Sequence, residues 1–276
     1  MRKKIFIFGS TGMLGSYVFD LIKDKQSNYD IIPITRKIID CSSPHIKAEL
    51  CRFFEENSIK SEDIVINCVG LIPQRPCIDK IDMIKVNSLF PNLLSIECRY
   101  INCKLIHIST NCVFSGERGL YTELDRSDAF DDYGRTKFLG EPSFGTIIRT
   151  SIIGEESKNK FSLLEWAKAN QWNKIKGFTN HFWNGVTTLQ LAFFINTLID
   201  ENRKDQLIHY FTPNEVVSKY ALLKMISNVY DLNLNIIPHS TDITKTMTLD
   251  TIYKNNLKDV PPLHKQLEQL RDYRKI

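Results

Sequence analysis

Lys3-Lys-Ile-Phe-Ile-Phe8 runs straight into Gly9-Ser-Thr-Gly12-Met-Leu-Gly15, and this junction decides the fold. The unbroken apolar run from Ile5 to Phe8 reads as the centre of a strand, Lys3 to Phe8, buried on both faces. The glycines form G-x-x-G-x-x-G and open a helix whose Leu14, Val18, Leu21 and Ile22 share one face. The first glycine makes a tight turn. The second lets backbone N–H groups approach a pyrophosphate, and the third lets helix and strand pack closely. The helix N-terminus favours the anion. Gly9, Thr11, Gly12, Met13, Leu14 and Gly15 are therefore candidate dinucleotide contacts.

The alternation repeats outward from this unit. Strands are expected at Asp30–Thr35, Asp63–Asn67, Lys104–Ser109 and Gly145–Thr150. Helices are expected from a Ser43-Pro44 N-cap to Glu56, over residues 82–101 and over Tyr133–Glu141. Such a rhythm makes an α/β, Rossmann-like, doubly wound parallel sheet, occupying residues 1–150. Beyond Arg149 the rhythm changes. A helix at Ser162–Ala169 precedes an aromatic loop, Lys176–Gly185. A helix at Leu189–Asp200, a strand at Leu207–Phe211 and a helix at Glu215–Tyr230 follow. Residues 151–276 read as mainly a smaller C-terminal substrate-binding subdomain, with about 186–212 returning to the Rossmann sheet. The tail Arg271–Ile276 is expected to be solvated or frayed.

The chain of 276 residues is 42% hydrophobic with a net charge of +4. So mild an excess, with acids and bases interspersed, gives no case for a nucleic-acid partner. The apolar run after Arg2-Lys3-Lys4 breaks at Gly9, too early for a signal peptide. No later stretch approaches the ~20 apolar residues of a membrane span. A soluble, cytosolic protein without a membrane partner is expected, and a homodimer is left open. Seven cysteines without a C-x-x-C read as reduced thiols, and six scattered histidines lack metal-ligand spacing, so no metal is expected.

About twenty residues beyond the glycine loop, at the end of the second strand, an acid would hold a ribose 2′-hydroxyl. The chain has Thr35-Arg36-Lys37 instead. Arg36 suits a 2′-phosphate, so NADP is the expected cofactor and NAD the alternative.

Two further segments are STNCVF at 109–114 and YGRTK at 133–137. With the glycine loop they make the chain resemble the extended short-chain dehydrogenase/reductases. More closely, it resembles the branch of dTDP-4-dehydrorhamnose reductases and related nucleotide-sugar reductases. INCVG, KVNSLFP, YGRTKFLGE and IIRTSIIG extend the likeness along the chain. The resemblance implies Thr110, Tyr133 and Lys137 as the catalytic set, with Ser109 a supporting hydroxyl and Asn111 beside the substrate. It implies that Asp40 and Cys41 meet adenine and that Cys68, Val69 and Gly70 form the turn beside the cofactor. Asn87 would be structural or a proton relay near the cofactor, and Thr150 with Ser151 would face the nicotinamide. The implied activity is NADPH-dependent reduction of a nucleotide-linked 4-keto-6-deoxy sugar for cell-surface polysaccharide. An epimerase on the same scaffold and a non-catalytic NADP-binding regulatory subunit are the alternatives. Reductases of this branch usually carry aspartate where this chain has Asn111. Dehydratase relatives carry Asp-Glu at Asn111-Cys112, so the acid and base for water elimination are missing.

Tyr133 and Lys137, four apart on a helix, project from one face. An ammonium within ~4–6 Å lowers a phenol by about 1–3 units from about 10, toward working pH. Thr110 would orient the keto oxygen, and the resemblance gives Lys137 the nicotinamide ribose. In the C-terminal part, Lys176, Phe178, Phe182 and Trp183 either meet the substrate's diphosphate and base or pack the small subdomain onto the sheet. Gln74-Arg75, in a Pro-bounded loop, is most simply solvated, with contact to a substrate or cofactor phosphate as the alternative.

Overall fold

The computed structural model describes residues 2–156, 160–201, 208–211, 215–252 and 260–273. β1 (Lys3–Phe8) lies between β2 (Tyr29–Ile34) and β3 (Ile64–Asn67), and the parallel sheet continues through β4 (Lys104–Ile108) and β5 (Thr146–Arg149). Successive side chains on a strand point to opposite faces, and both faces of β1 are covered. Ile5 and Ile7 enter one core, beneath α1 (Met13–Lys25). Phe6 and Phe8 enter the other, beneath α2 (Ile46–Glu56), where the Phe53 ring meets both of them edge-on at 5.8 Å. Strand order reverses between β1 and β3, and ligands of such sheets bind outside the carboxyl ends at that point. Gly9 and Cys68 follow those two ends, and the Cys68 N–H donates to the Phe8 carbonyl at 3.0 Å. A Cβ on Gly15 would overlap the Gly9 carbonyl, so α1 seats against the loop only without a side chain there.

The helix expected over 82–101 is three pieces: α3 (Lys80–Met83), a π-helical segment (Ile84–Leu89) and α4 (Phe90–Ile101). Pro91 has no N–H to give the Asn87 carbonyl four residues back, which breaks the regular ladder there. The Asn87 side chain turns instead to the loop after β3. It accepts from Leu71 N–H at 2.8 Å and donates to the Leu71 carbonyl at 3.0 Å. α5 (Asp132–Leu139) packs against this segment and ends at Gly140.

The C-terminal part is built on short pairings. β6 (Ile152–Ile153) pairs with β9 (Val186–Thr187). α6 (Leu163–Ala169) leads to β7 (Lys174–Phe178) and β8 (His181–Trp183). α7 (Thr188–Asp200) shares the first-face core with α1, and β10 (Ile208–Phe211) pairs with β5 at the sheet edge. Leu207, expected in that strand, lies outside the described residues. β11 (Val217–Ser218) and β13 (Lys245–Met247) flank β8, and β12 (Asn235–His239) pairs with β7. α8 (Lys219–Val229) and α9 (Leu263–Tyr273) complete the packing.

Four sequence expectations are corrected. The aromatic stretch is two strands rather than a loop, because Lys174 to Phe178 alternates exposed with buried, a period-2 pattern masked by Gly177 and the Thr179-Asn180 turn. α8 starts four residues after Glu215, because Val217 and Ser218 pair with Trp183 and Phe182. Ser43 does not cap α2 at a proline. Its hydroxyl donates to Glu49 at 2.6 Å, and the helix begins at Ile46. Of the tail, Arg271 to Tyr273 continue α9 as helix rather than fraying, with Asp272 exposed; residues 274–276 lie outside the described set.

A Cβ at Gly140 would overlap the Asn87 carbonyl that Pro91 leaves without its helical donor. Gly140→Ala is therefore expected to cost about 1–3 kcal/mol of stability by overpacking. An unchanged midpoint in urea unfolding would contradict this.

Candidate active site

β4 ends at Ile108, and Ser109 and Thr110 continue from its carboxyl end. Ser109 N–H donates to the Ile148 carbonyl at 2.8 Å and Asn111 N–H to the Thr150 carbonyl at 2.9 Å, which aligns the ends of β4 and β5. Thr110 then caps a short 3-10 turn, Asn111–Val113, its hydroxyl accepting from Cys112 N–H at 3.1 Å. α5 enters beside that turn. Asp131 caps it through Gly134 N–H at 2.8 Å, and its first two turns bring Tyr133 and Lys137 to the same cleft.

Two adjoining cavities open along the carboxyl ends of the strands. One of about 590 Å³ is lined by Gly9, Thr11, Arg36, Asp40 and Cys41 among others. The other, of about 970 Å³, is lined by Met13, Leu14, Ser109, Thr110, Asn111, Tyr133, Lys137 and Thr150. Gly12, Cys68, Val69 and Gly70 line both. The residues expected at the cofactor and the catalytic set are thus gathered into one continuous cleft, with two exceptions. Gly15 touches neither cavity and instead permits the seating of α1. Asn87 is buried behind the cleft as the clamp on Leu71.

The substrate residues divide differently. Ser109, Thr110 and Asn111 line the larger cavity, whereas Lys176, Phe178, Phe182 and Trp183 line neither. Phe178 stacks on His181, with ring centroids 4.5 Å apart. Trp183 is buried and donates from Nε1 to Ser151 Oγ at 2.6 Å, so it backs the cavity wall. Strand pairing commits this stretch to packing among β11, β12 and β13. The aromatic surface on the larger cavity comes instead from Phe161 and Trp166, the latter 41% exposed. The SLLEWA helix carried that signal, as an amphipathic segment with its tryptophan off the buried face.

Lys137 is 4% exposed, and Nζ donates to the Ile108 carbonyl at 2.9 Å. Burial lowers its pKa to about 8, against the opposing charge of Glu141. Tyr133 corrects an expectation. Its pKa is raised, first by burial and then by Cys112, while a hydrogen bond with Thr110 pulls it down. Burial disfavours the charged phenolate and decides the direction. The phenol is therefore firmly protonated near neutral pH.

Beneath the cleft, Glu141 holds three groups. It accepts from Ser109 Oγ at 2.6 Å and from Arg149 Nε and Nη2 at 2.8 and 2.7 Å, with both charged side chains 5% exposed. Sequence reasoning missed Glu141 because a glutamate at the last position of an expected helix reads as solvated, whereas α5 ends at Leu139. The asparagine at 111 is explained here as well. Its Nδ2 donates to the Met247 carbonyl at 2.9 Å, tying the Thr110 turn to β13, and a carboxylate there has no proton to give.

In the smaller cavity, Arg36 reaches Asp40 at 3.3 Å and Ser42 at 3.2 Å. Burial works to raise the Asp40 carboxyl, but hydrogen bonds from Ser42 and the charge of Arg36 outweigh it and hold it below its ordinary value. The donor set suits a dinucleotide. A guanidinium and a hydroxyl stand at the far end, and glycines line the crossing. A Cβ on Gly70 would stand 3.7 Å from Lys137 Nζ, in space the cleft keeps open. Among the described residues no His, Cys, Asp and Glu cluster has metal-site geometry, and no helix is long and apolar enough to cross a membrane. His107 is a buried strand residue, its Nδ1 3.0 Å from Asn67 Nδ2.

Sheet order, glycine loop and the gathered Thr, Tyr and Lys define an extended short-chain dehydrogenase/reductase of Rossmann fold. Within that class, the chain belongs to the RmlD substrate binding domain family, whose model matches residues 2–247. It is 27% identical over 179 residues to the spore coat polysaccharide biosynthesis protein SpsK of Bacillus subtilis, covering 61% of this chain and 60% of that one. It is 30% identical over 144 residues to the dTDP-4-dehydrorhamnose reductase of Mycolicibacterium smegmatis, covering 51% of this chain and 41% of that one. The chain thus spans about half the length of the curated relatives it matches. In fold it is similar to a dTDP-4-dehydrorhamnose reductase of Bacillus anthracis crystallised with NADP, with a TM-score of 0.81, 20% identity and 99% of each chain covered.

A lysine whose pKa is lowered on folding binds fewer protons in the native state than in the unfolded one between pH 8 and its ordinary value near 10.4. Its burial therefore penalises stability below pH 8, and the penalty fades as pH rises. The stability of the wild type minus that of Lys137→Met is expected to rise by on the order of 2–3 kcal/mol between pH 7 and 10. A flat difference in denaturant unfolding would show that the amine is not desolvated.

Proposed function

We propose that this chain is an NADPH-dependent reductase of a nucleotide-linked 4-keto-6-deoxy sugar, acting in cell-surface polysaccharide synthesis. The observation that carries the reading is the shared cavity of Thr110, Tyr133 and Lys137, continuous with the glycine-lined crossing and the Arg36 end. The names of the matched relatives, among them SpsK and the dTDP-4-dehydrorhamnose reductases, agree with it. NADPH, when bound, supplies the hydride. Tyr133 gives a proton to the carbonyl oxygen. The alkoxide formed there is far more basic than a phenolate, so a phenol raised above its ordinary value still protonates it. Thr110 orients the oxygen, and Lys137 holds the nicotinamide ribose with a positive charge close by. Phe161 and Trp166 offer aromatic surface for the nucleotide base. The elements from β6 onward form mainly the substrate side, over the Rossmann unit of residues 1–150, with α7 and β10 returning to the sheet. Seven unpaired cysteines suit the reducing cytosol.

Purified protein is expected to oxidise NADPH, followed at 340 nm, when given dTDP-4-keto-6-deoxyglucose. Tyr133→Phe is expected to lower that rate ~10²–10⁴-fold with the fold intact. Full activity in the variant would refute the proton-donor role, and sugar conversion without NADPH loss would indicate an epimerase.

A further inference from the structure

The two cavities meet along a wall of six shared residues: Gly12, Cys68, Val69, Gly70, Arg75 and Phe161. Arg75 is the one that carries a charge. On the reading above, the adenosine half lies toward Arg36 and the nicotinamide half toward Tyr133, so the linking pyrophosphate must cross this wall. We propose that Arg75 is a binding residue for the cofactor pyrophosphate, closing over it from the side opposite the glycine loop.

The loop that carries Arg75 is built rather than loose at its start. Leu71 is clamped on both backbone groups by the buried Asn87, and Arg75 N–H donates to the Ile72 carbonyl at 3.2 Å. The side chain is half-buried, and among the described residues no carboxylate pairs with it. A guanidinium in that position offers a planar fork to two phosphate oxygens. Across the wall, α1 begins at Gly12 with no side-chain cap and no acid in its first turn, which leaves its N–H groups for an anion. On the reading above the other cations of the cleft serve other parts of the cofactor: Lys137 lies at the nicotinamide end and Arg36 at the far end, beside Asp40 and Ser42. The proposal rests on the dinucleotide reading, but not on any particular sugar.

Dissociation constants measured by calorimetry for NADPH and for 2′-AMP separate the parts. Arg75→Ala is expected to weaken NADPH about 10–100-fold, the loss of a charged hydrogen-bond pair. It should leave 2′-AMP within twofold, because that fragment lacks the pyrophosphate. Arg36→Ala is expected to weaken both, and Arg75→Lys to fall between wild type and alanine for NADPH. NADPH affinity unchanged in a folded Arg75→Ala overturns the proposal. So does a variant in which only the KM for the nucleotide sugar rises, since Arg75 would then serve the substrate. Wild-type protein that binds no dinucleotide overturns the cofactor reading itself, and Arg75's role with it.

Discussion

A charged amine held in the interior is the constraint on which this cleft depends. Lys137 is almost fully enclosed, and burial draws its pKa down to about 8 against the opposing charge of Glu141. The chain keeps it there with a backbone carbonyl from β4 and a carboxylate in the next layer. Glu141 is itself buried, and it is tolerated only because Arg149 makes a two-bond contact with it and Ser109 adds a third. Removing either partner of such a pair leaves an uncompensated charge, which is far costlier than the pair's net contribution. Ser109, Lys137, Glu141 and Arg149 therefore form one electrostatic unit spanning β4, α5 and β5.

The sheet positions that unit. Parallel strands deliver β4 and β5 to the same edge, and the reversal of strand order between β1 and β3 opens the space beside them. The π-helical segment is a consequence of the same demand. Pro91 breaks the ladder, Asn87 is released toward Leu71, and the loop that borders both cavities is fixed. The C-terminal strands contribute by bracing rather than by reaching in. β13 takes a hydrogen bond from Asn111, and Trp183 supports Ser151 from behind.

Much of this was legible in the residues because it rests on local patterns. The strand–glycine–helix unit, the apolar run Ile5–Phe8 of β1 and the Tyr133/Lys137 spacing are readable without tertiary knowledge, and each lies where expected. What was not legible depends on partners distant in sequence. The aromatic stretch was misread because its strands exist only through pairing with β11, β12 and β13. The lowered phenol was expected from spacing alone, but spacing carries no information on burial, and burial decides the direction for Tyr133. Glu141 and Arg75 are ordinary loop charges until the fold puts one under the cleft and the other across it.

The central claim is that this cleft moves a hydride from the nicotinamide to a ketone carbon. It is tested most directly by following the label with NADPH deuterated at both nicotinamide C4 positions and dTDP-4-keto-6-deoxyglucose as acceptor. The account predicts a product with one deuterium at sugar C4 and one NADPH consumed per molecule, read by NMR and absorbance. A product altered in stereochemistry with no deuterium at C4 and no net cofactor oxidation would contradict it.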